Sequence, residues 1–237
     1  MSRRLLPLVA ALNVLCAMPA AATMLPVPPN LIALDSQQGR RLLLEATTTT
    51  DFYPLSEQFV TQKTQAFCGV ASLVMVLNAL QMPAPASAEL APYNVFDQDN
   101  FFNAKTEAAE PRTLIEKMGM SLDYLGAVAR AQGLTAAVHH ATDHGLGDFR
   151  REAVARLGTW DQYVLVNFLR SIINEKIGGH ISPLAAYETK SDRFLILDVS
   201  RYKYPPVWVT ATDLYAAMNT IAIPEGNITR GYVVLTR

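Results

Sequence analysis

The chain has 237 residues, half of them hydrophobic, and a formal net charge of −1. That length and apolar content suffice for a well-packed core. The near-neutral balance argues against a nucleic acid or an anionic membrane surface as the main partner.

The first residues, MSRRLLPLVAALNVLCAMPAAA, place Arg3 and Arg4 before an apolar run and a small-residue site at Ala20, Ala21 and Ala22. This order reads as a secretory signal peptide over 1–22. The run is too short and Pro-interrupted for a confident membrane span. It predicts an exported, periplasmic protein with no stable membrane association after cleavage; an uncleaved anchor is the alternative. Cys16 makes a poor lipid-attachment site because bulky Leu15 precedes it. Its removal leaves Cys68 without an intramolecular disulfide partner in an oxidising compartment. Residues 23–237 show no internal repeat and no low-complexity linker, and read as one domain.

Residues 24–37 are Pro-rich and read as extended. SQQGRRLLLEA follows as a short helix with Ser36 as its cap, and TTTTDFYPLSEQFVTQ as a loop and strand-like approach to the cysteine. Residues 66–80 form a helix with apolar side chains on nearly every face, which marks a central, covered helix. QMPAPASAELAPYNVFDQDNFF is an irregular connection. Further helices are expected at 111–118, with Pro at the first turn, at 121–132, capped by Ser121 and charged by Asp123, and at 142–157. From QYVLVNFLR onward the pattern turns to strands. Helices first and strands last, without βαβ alternation, predict an α+β fold with an antiparallel sheet.

HISPLAAY and RFLILDVS are strand-like runs joined by the polar ETKSD. Folded as a hairpin about a turn near Lys190, residue 182 lies opposite 198. Alternation then puts His180 and Ser182 on one face, with Asp198 diagonal to His180 at about 7–8 Å between backbones. A carboxylate so placed orients the imidazole and stabilises its protonated form, while the other ring nitrogen takes a thiol proton. At a helix start, unpaired amides and the dipole join an imidazolium in lowering a thiol pKa to roughly 3.5–7.5. Gln62, six residues before Cys68, brings an amide that can share an oxyanion with the Cys68 N–H. Singly, each residue has a plainer reading: a buried cysteine acting as a small hydrophobe, a surface glutamine, a loop histidine, a satisfied buried acid. Together, the order Cys, His, Asp with a preceding Gln matches the papain-type cysteine peptidase arrangement. HHATDH (His139, His140, Asp143, His144) sets His140 and His144 one helical turn apart, a spacing that suits zinc. With no fourth partner it reads as a solvated helix start, and no metal ligands are assigned.

The segments PLSEQFVTQ, QAFCGVASLVMVLNAL, GGHISPLAAY, LILDVSRYKYPPVWV and TRGYVVL resemble the phytochelatin synthase family, the glutathione γ-glutamylcysteinyltransferases, over most of the chain from Asn30 onward. The resemblance implies a papain-like cysteine peptidase fold, its Cys-bearing helix packed on an antiparallel sheet. It implies Cys68 as the acylated nucleophile, His180 as general base and acid, Asp198 as its orienting acid and Gln62 as the oxyanion residue. The implied reaction is attack on the cysteinyl–glycine amide of glutathione, loss of glycine, and a γ-glutamylcysteinyl thioester. Water then gives γ-glutamylcysteine, or the amine of a second glutathione gives phytochelatin. Glutathione carries two carboxylates, so arginines are expected in the pocket: Arg230, and Arg201 nearer a second-substrate position. No tightly bound cofactor is implied; heavy-metal ions such as Cd and Zn enter as thiolate complexes of the substrate. The cysteine-rich C-terminal region of plant members is not present, which resembles the short bacterial type, where cleavage outweighs polymer formation. The rivals are an exported papain-type peptidase acting on other peptides and a non-enzymatic metal- or thiol-binding module. A homodimer stays open.

Overall fold

The computed structural model describes residues 24–176, 178–223 and 227–237; the expected signal peptide and Cys16 lie outside the described residues. Among these, seven strands build one sheet: β1 (Ile32–Ala33), β2 (Thr135–His140), β3 (Gln162–Leu169), β4 (Gly179–Glu188), β5 (Arg193–Ile196), β6 (Val207–Thr210) and β9 (Gly231–Thr236). Their spatial order is β1-β6-β5-β4-β3-β9-β2, and every neighbouring pair is antiparallel. A separate ribbon pairs β7 (Ile221–Ile223) with β8 (Ile228–Thr229). The helices are α1 (Gln37–Glu45), α2 (Phe52–Glu57), α3 (Cys68–Ala79), α4 (Ala104–Ala109), α5 (Arg112–Met118), α6 (Leu122–Ala131), α7 (Leu146–Leu157) and α8 (Ala211–Met218). The expected α+β class with an antiparallel sheet is what the chain adopts.

Both faces of the sheet are covered, and β3 shows how. Tyr163 and Leu165 join the apolar layer containing α3 and α6, while Val164, Val166 and Phe168 join the layer containing α7 and α8. That is the period-two alternation of a strand buried on both sides. Every residue of α3 from Cys68 to Leu77 is buried, as its all-round apolar sequence requires. Full burial of each Leu, Val or Met there contributes about 1.5–3 kcal/mol. Ser72 adds a polar tie, its hydroxyl shared between the Cys68 carbonyl (2.8 Å) and the Ile181 carbonyl of β4 (3.2 Å).

Several local expectations hold. Ser36 Oγ accepts from Gly39 N at 2.9 Å and Ser121 Oγ from Tyr124 N at 3.2 Å, each satisfying an orphan amide at a helix start. The β4–β5 hairpin pairs Leu184 with Ile196, and Leu197 N donates to the Pro183 carbonyl at 3.0 Å. This is the register that sets 182 against 198. A bulge between Leu184 and Ala186 shifts it by one only on the turn side.

Four expectations are corrected. The strand-like approach before the cysteine contains α2, because Pro54 falls in its first turn, where a missing N–H costs nothing. The helix expected over 142–157 begins at Leu146, and His139 and His140 close strand β2, so the supposed helical spacing of the histidines does not exist. Helix α4 was not anticipated, although Asn103 and Thr106 form a reciprocal capping box. Strands do not all follow helices: β1 and β2 come early and α8 late.

Gly231 marks a close approach. A Cβ placed on it would lie 2.0 Å from the His139 carbonyl oxygen on the paired strand. Gly231→Ala is therefore expected to lose roughly 1–3 kcal/mol through overpacking against backbone that cannot give, measured as a lower denaturant midpoint at unchanged slope.

Candidate active site

The site begins with how α3 starts. Its N-cap, Phe67, supplies no side-chain acceptor, so the first amides of the helix stay available. Cys68 is the first helical residue, buried, and a free thiol. Burial is the largest influence on it and pushes its pKa up. Hydrogen bonding to His180, the His180 charge, and hydrogen bonds from the Ile181 and Gly69 backbone together outweigh burial, so the thiol sits below its ordinary value.

His180 follows Gly179 at the start of β4, packed edge-on to Phe168 of the paired strand at 5.6 Å between ring centres. Its Nε2 lies 2.8 Å from Asp198 Oδ1 and 2.8 Å from Ser182 Oγ. An ionised carboxylate only accepts, so Nε2 carries a proton. Nδ1 is thereby left as the nitrogen able to receive a proton from the thiol. Burial opposes the imidazolium most strongly; the charge and hydrogen bond of Asp198, joined by the bond to Cys68, nonetheless raise the His180 pKa above its ordinary value against the opposing Arg170 charge. The lowered thiol and the raised imidazole both shift toward a thiolate–imidazolium pair.

Asp198 stands just beyond the end of β5 and is buried. Besides His180 it receives Arg170 Nη2, at 2.7 Å to Oδ2 and 3.0 Å to Oδ1, and Ser200 N at 2.7 Å. Burial pushes its pKa up, but the His180 charge and bond, then those of Arg170, hold the carboxyl well below the usual carboxylate range. Arg170 is itself buried and also bonds Glu175; its guanidinium carbon lies 5.4 Å from the Tyr204 ring centre and 5.9 Å from that of Phe168. Burial pushes the Glu175 pKa up.

Gln62 is buried next to this cluster. Its Oε1 accepts from Ser200 Oγ at 2.7 Å, and its Nε2 donates to the Thr64 carbonyl (2.7 Å) and to Tyr202 Oη (3.2 Å).

Cys68 and His180 open onto a cavity of about 740 Å³. Its wall includes Thr64, Gln65 and Ala66 before the cysteine, Asn167 of β3, Gly179, Arg230, Glu110, and much of the α5–α6 segment between Leu114 and Tyr124. Arg230 is fixed by Nη1, which donates to Thr220 Oγ1 at 3.0 Å and to the Ile221 carbonyl at 2.8 Å. Its Nε and Nη2 lie along Gly179, where an added Cβ would stand 3.4–3.5 Å away. Burial lowers its pKa.

The structure thus brings Cys68, His180 and Asp198 together, puts Gln62 in contact with them through Ser200, and places Arg230 in the cavity wall. Arg201 is not brought there. It stacks on Phe59, 4.7 Å from ring centre to guanidinium carbon, in a separate surface groove with Met24 and Tyr202. The histidine cluster is also apart: His140 bonds Asp123 (3.1 Å) and the Thr229 carbonyl (2.7 Å), while His139 stacks on Tyr232. Among the described residues no group of three or more His, Cys, Asp or Glu side chains is set to hold a metal ion. Sequence reasoning did not single out Arg170, Glu175, Ser200 or Glu110, and gave Ser182 no task.

Fold and site together define an α+β protein in which a thiol, an imidazole and a carboxylate stand in line at the wall of a cavity. The family model for phytochelatin synthase matches residues 22–232, and the chain belongs to that family. It is similar to two proteins of Lotus japonicus named glutathione gamma-glutamylcysteinyltransferase, at 35% and 33% identity over 90% of this chain and 42% and 43% of theirs. A protein of the same name from Schizosaccharomyces pombe is 29% identical over 88% of this chain and 50% of its own length. The chain spans about half the length of the curated relatives it matches.

Two outcomes test the electrostatics. His180→Ala removes the two largest influences that favour the thiolate and leaves burial in place, so the pH at which Cys68 becomes reactive to iodoacetamide should move upward. An unchanged alkylation profile would contradict the pair. Arg170→Leu leaves Asp198 and Glu175 buried without their cation and should cost about 3–5 kcal/mol in chemical denaturation.

Proposed function

We propose that the chain is a thiol acyltransferase and peptidase of papain-like type that cleaves the cysteinyl–glycine bond of glutathione. The observation that carries this reading is the Cys68–His180–Asp198 line opening onto a cavity whose wall holds Arg230. His180 takes the Cys68 proton, and the sulfur attacks the amide carbon. The Cys68 N–H and the Gln62 amide donate to the resulting oxyanion. His180 then returns the proton to the glycine nitrogen, the C–N bond breaks, and a γ-glutamylcysteinyl thioester remains on Cys68. Asp198 keeps the ring oriented and its charged form stable throughout. Water or the amine of a second glutathione, deprotonated by His180, takes the acyl group and gives γ-glutamylcysteine or phytochelatin. Arg230 offers its Nε–Nη2 edge to a substrate carboxylate, the geometry of bidentate recognition. The names of the similar proteins support glutathione as substrate. Metal ions belong to the substrate as thiolate complexes, and the N-terminal sequence supports export to the periplasm.

Incubation of the purified protein with glutathione should add a γ-glutamylcysteinyl group to Cys68, visible by mass spectrometry, with glycine released. Cys68→Ser should show neither, and His180→Ala should lower kcat by about 10²–10⁴-fold. Glycine release at the normal rate from Cys68→Ser would end the proposal.

A further inference from the structure

Glu110 is an acidic residue in the cavity wall with one carboxylate oxygen left without a partner among the described residues. It is only 6% exposed, and its Oε2 meets no hydrogen-bond donor among the described residues. The local chain explains why. Glu110 follows the last turn of α4, whose free ends are carbonyls, and precedes Pro111, which has no N–H to give. The next amide, Arg112 N, donates instead to Glu107 Oε2 at 3.1 Å, and the Arg112 side chain is taken by Glu116 at 2.8 Å. Burial pushes the Glu110 carboxyl up to about 7, as burial does to a carboxyl that no donor or cation offsets. The other anions of the wall are already matched: Glu116 by Arg112 and the Cys68 sulfur by His180.

We propose that Glu110 is a specificity-determining residue that receives the α-ammonium of the substrate's γ-glutamyl end. The inference rests on the glutathione reading above. That end of the substrate carries an ammonium and a carboxylate on one carbon. The same cavity offers an unpartnered carboxylate at Glu110 and, at Arg230, a guanidinium with no carboxylate paired to it among the described residues. A zwitterionic head therefore finds both of its complements, and a γ-linked residue is distinguished from an amino-blocked one by the ammonium that Glu110 receives. Glu110 takes no part in bond making; its effect falls on binding.

The probes are glutathione and glutaryl-cysteinyl-glycine, which differs only in lacking the amino group. Calorimetry with Cys68→Ser, which cannot turn over, should show glutathione binding about 10- to 100-fold more tightly. Cys68→Ser/Glu110→Gln should bind the two alike, near the weaker affinity. In the active protein, Glu110→Gln should raise KM for glutathione with kcat nearly kept and iodoacetamide reactivity of Cys68 unchanged. Equal binding of the two probes to Cys68→Ser, no binding of either, or discrimination surviving Glu110→Gln overturns the inference. If the Gln variant does not fold, the comparison on Cys68→Ser alone decides. Failure of the glutathione reading is a different result: discrimination in binding with no glycine released by the active protein.

Discussion

An ionised carboxylate buried to within one per cent of full exclusion survives at Asp198 because three donors converge on it: the His180 ring, the Arg170 guanidinium and the Ser200 amide. Without them the group would take up a proton on burial, and a neutral acid would no longer dictate which imidazole nitrogen is protonated. The state of Nδ1, and with it the tendency of the Cys68 thiol to ionise, descends from that one anion. Arg170 holds the acid second only to His180, yet it works against the imidazolium while doing so. Glu175 moderates this. Paired to the far side of the guanidinium, it favours a charged His180, because its own negative charge acts on the ring across the cluster. The rings of Phe168 and Tyr204 lie within 5.9 Å and 5.4 Å of the guanidinium carbon, surroundings suited to Arg and not to Lys.

The sulfur depends on packing as well as charge. Cys68 meets His180 only if the start of α3 is held against the start of β4, and two unlike contacts do this. The apolar side chains of α3 fill the layer beneath the sheet, and Ser72 ties the helix backbone at Cys68 to the strand backbone at Ile181. The remaining wall is set by the turn after α5. There Gly119 takes φ +74, and a Cβ added to it would stand 3.6 Å from the Ala66 carbonyl oxygen. Helix, strand and turn thus approach from three directions, and the cavity is the space they leave.

Legibility in the sequence followed the physics of each signal. Helix α3 announced itself through apolar residues on every face, and α1 and α6 through Ser caps, since both signals are local. The hairpin register was also readable: a polar turn between two apolar runs fixes which residues oppose, and the bulge spares the half that carries His180, Ser182 and Asp198. What escaped depends on tertiary burial of charge. Arg170, Glu175 and Glu110 are charged residues, which lie at the surface unless something distant encloses them. His139 and His140 were misplaced because two histidines beside small residues fit a helix start and a strand equally well. Pairing with β9 decided for the strand. Arg201 was placed by its nearness to Asp198 in the chain, but the chain turns after Ser200 and delivers its guanidinium onto Phe59.

Gln62 shows how the two halves of the proposed chemistry are joined. Ser200 holds the acid with its backbone amide and the glutamine with its hydroxyl, so displacement of one displaces the other. The two protons of Gln62 Nε2 are spoken for, one at 2.7 Å by the Thr64 carbonyl and one at 3.2 Å by the Tyr202 hydroxyl. Donation to an oxyanion must therefore replace one of these bonds. The longer one is the weaker, and Tyr202 is 45% exposed and able to turn to water. A neutral bond between amide and phenol is exchanged for one to a developing negative charge, which is roughly twice as strong. In the proposed reaction the exchange would favour the tetrahedral intermediate over the bound amide while Ser200 keeps the glutamine carbonyl anchored. Such an arrangement gains its strength only as the reaction proceeds, which is the condition for lowering a barrier instead of merely binding substrate.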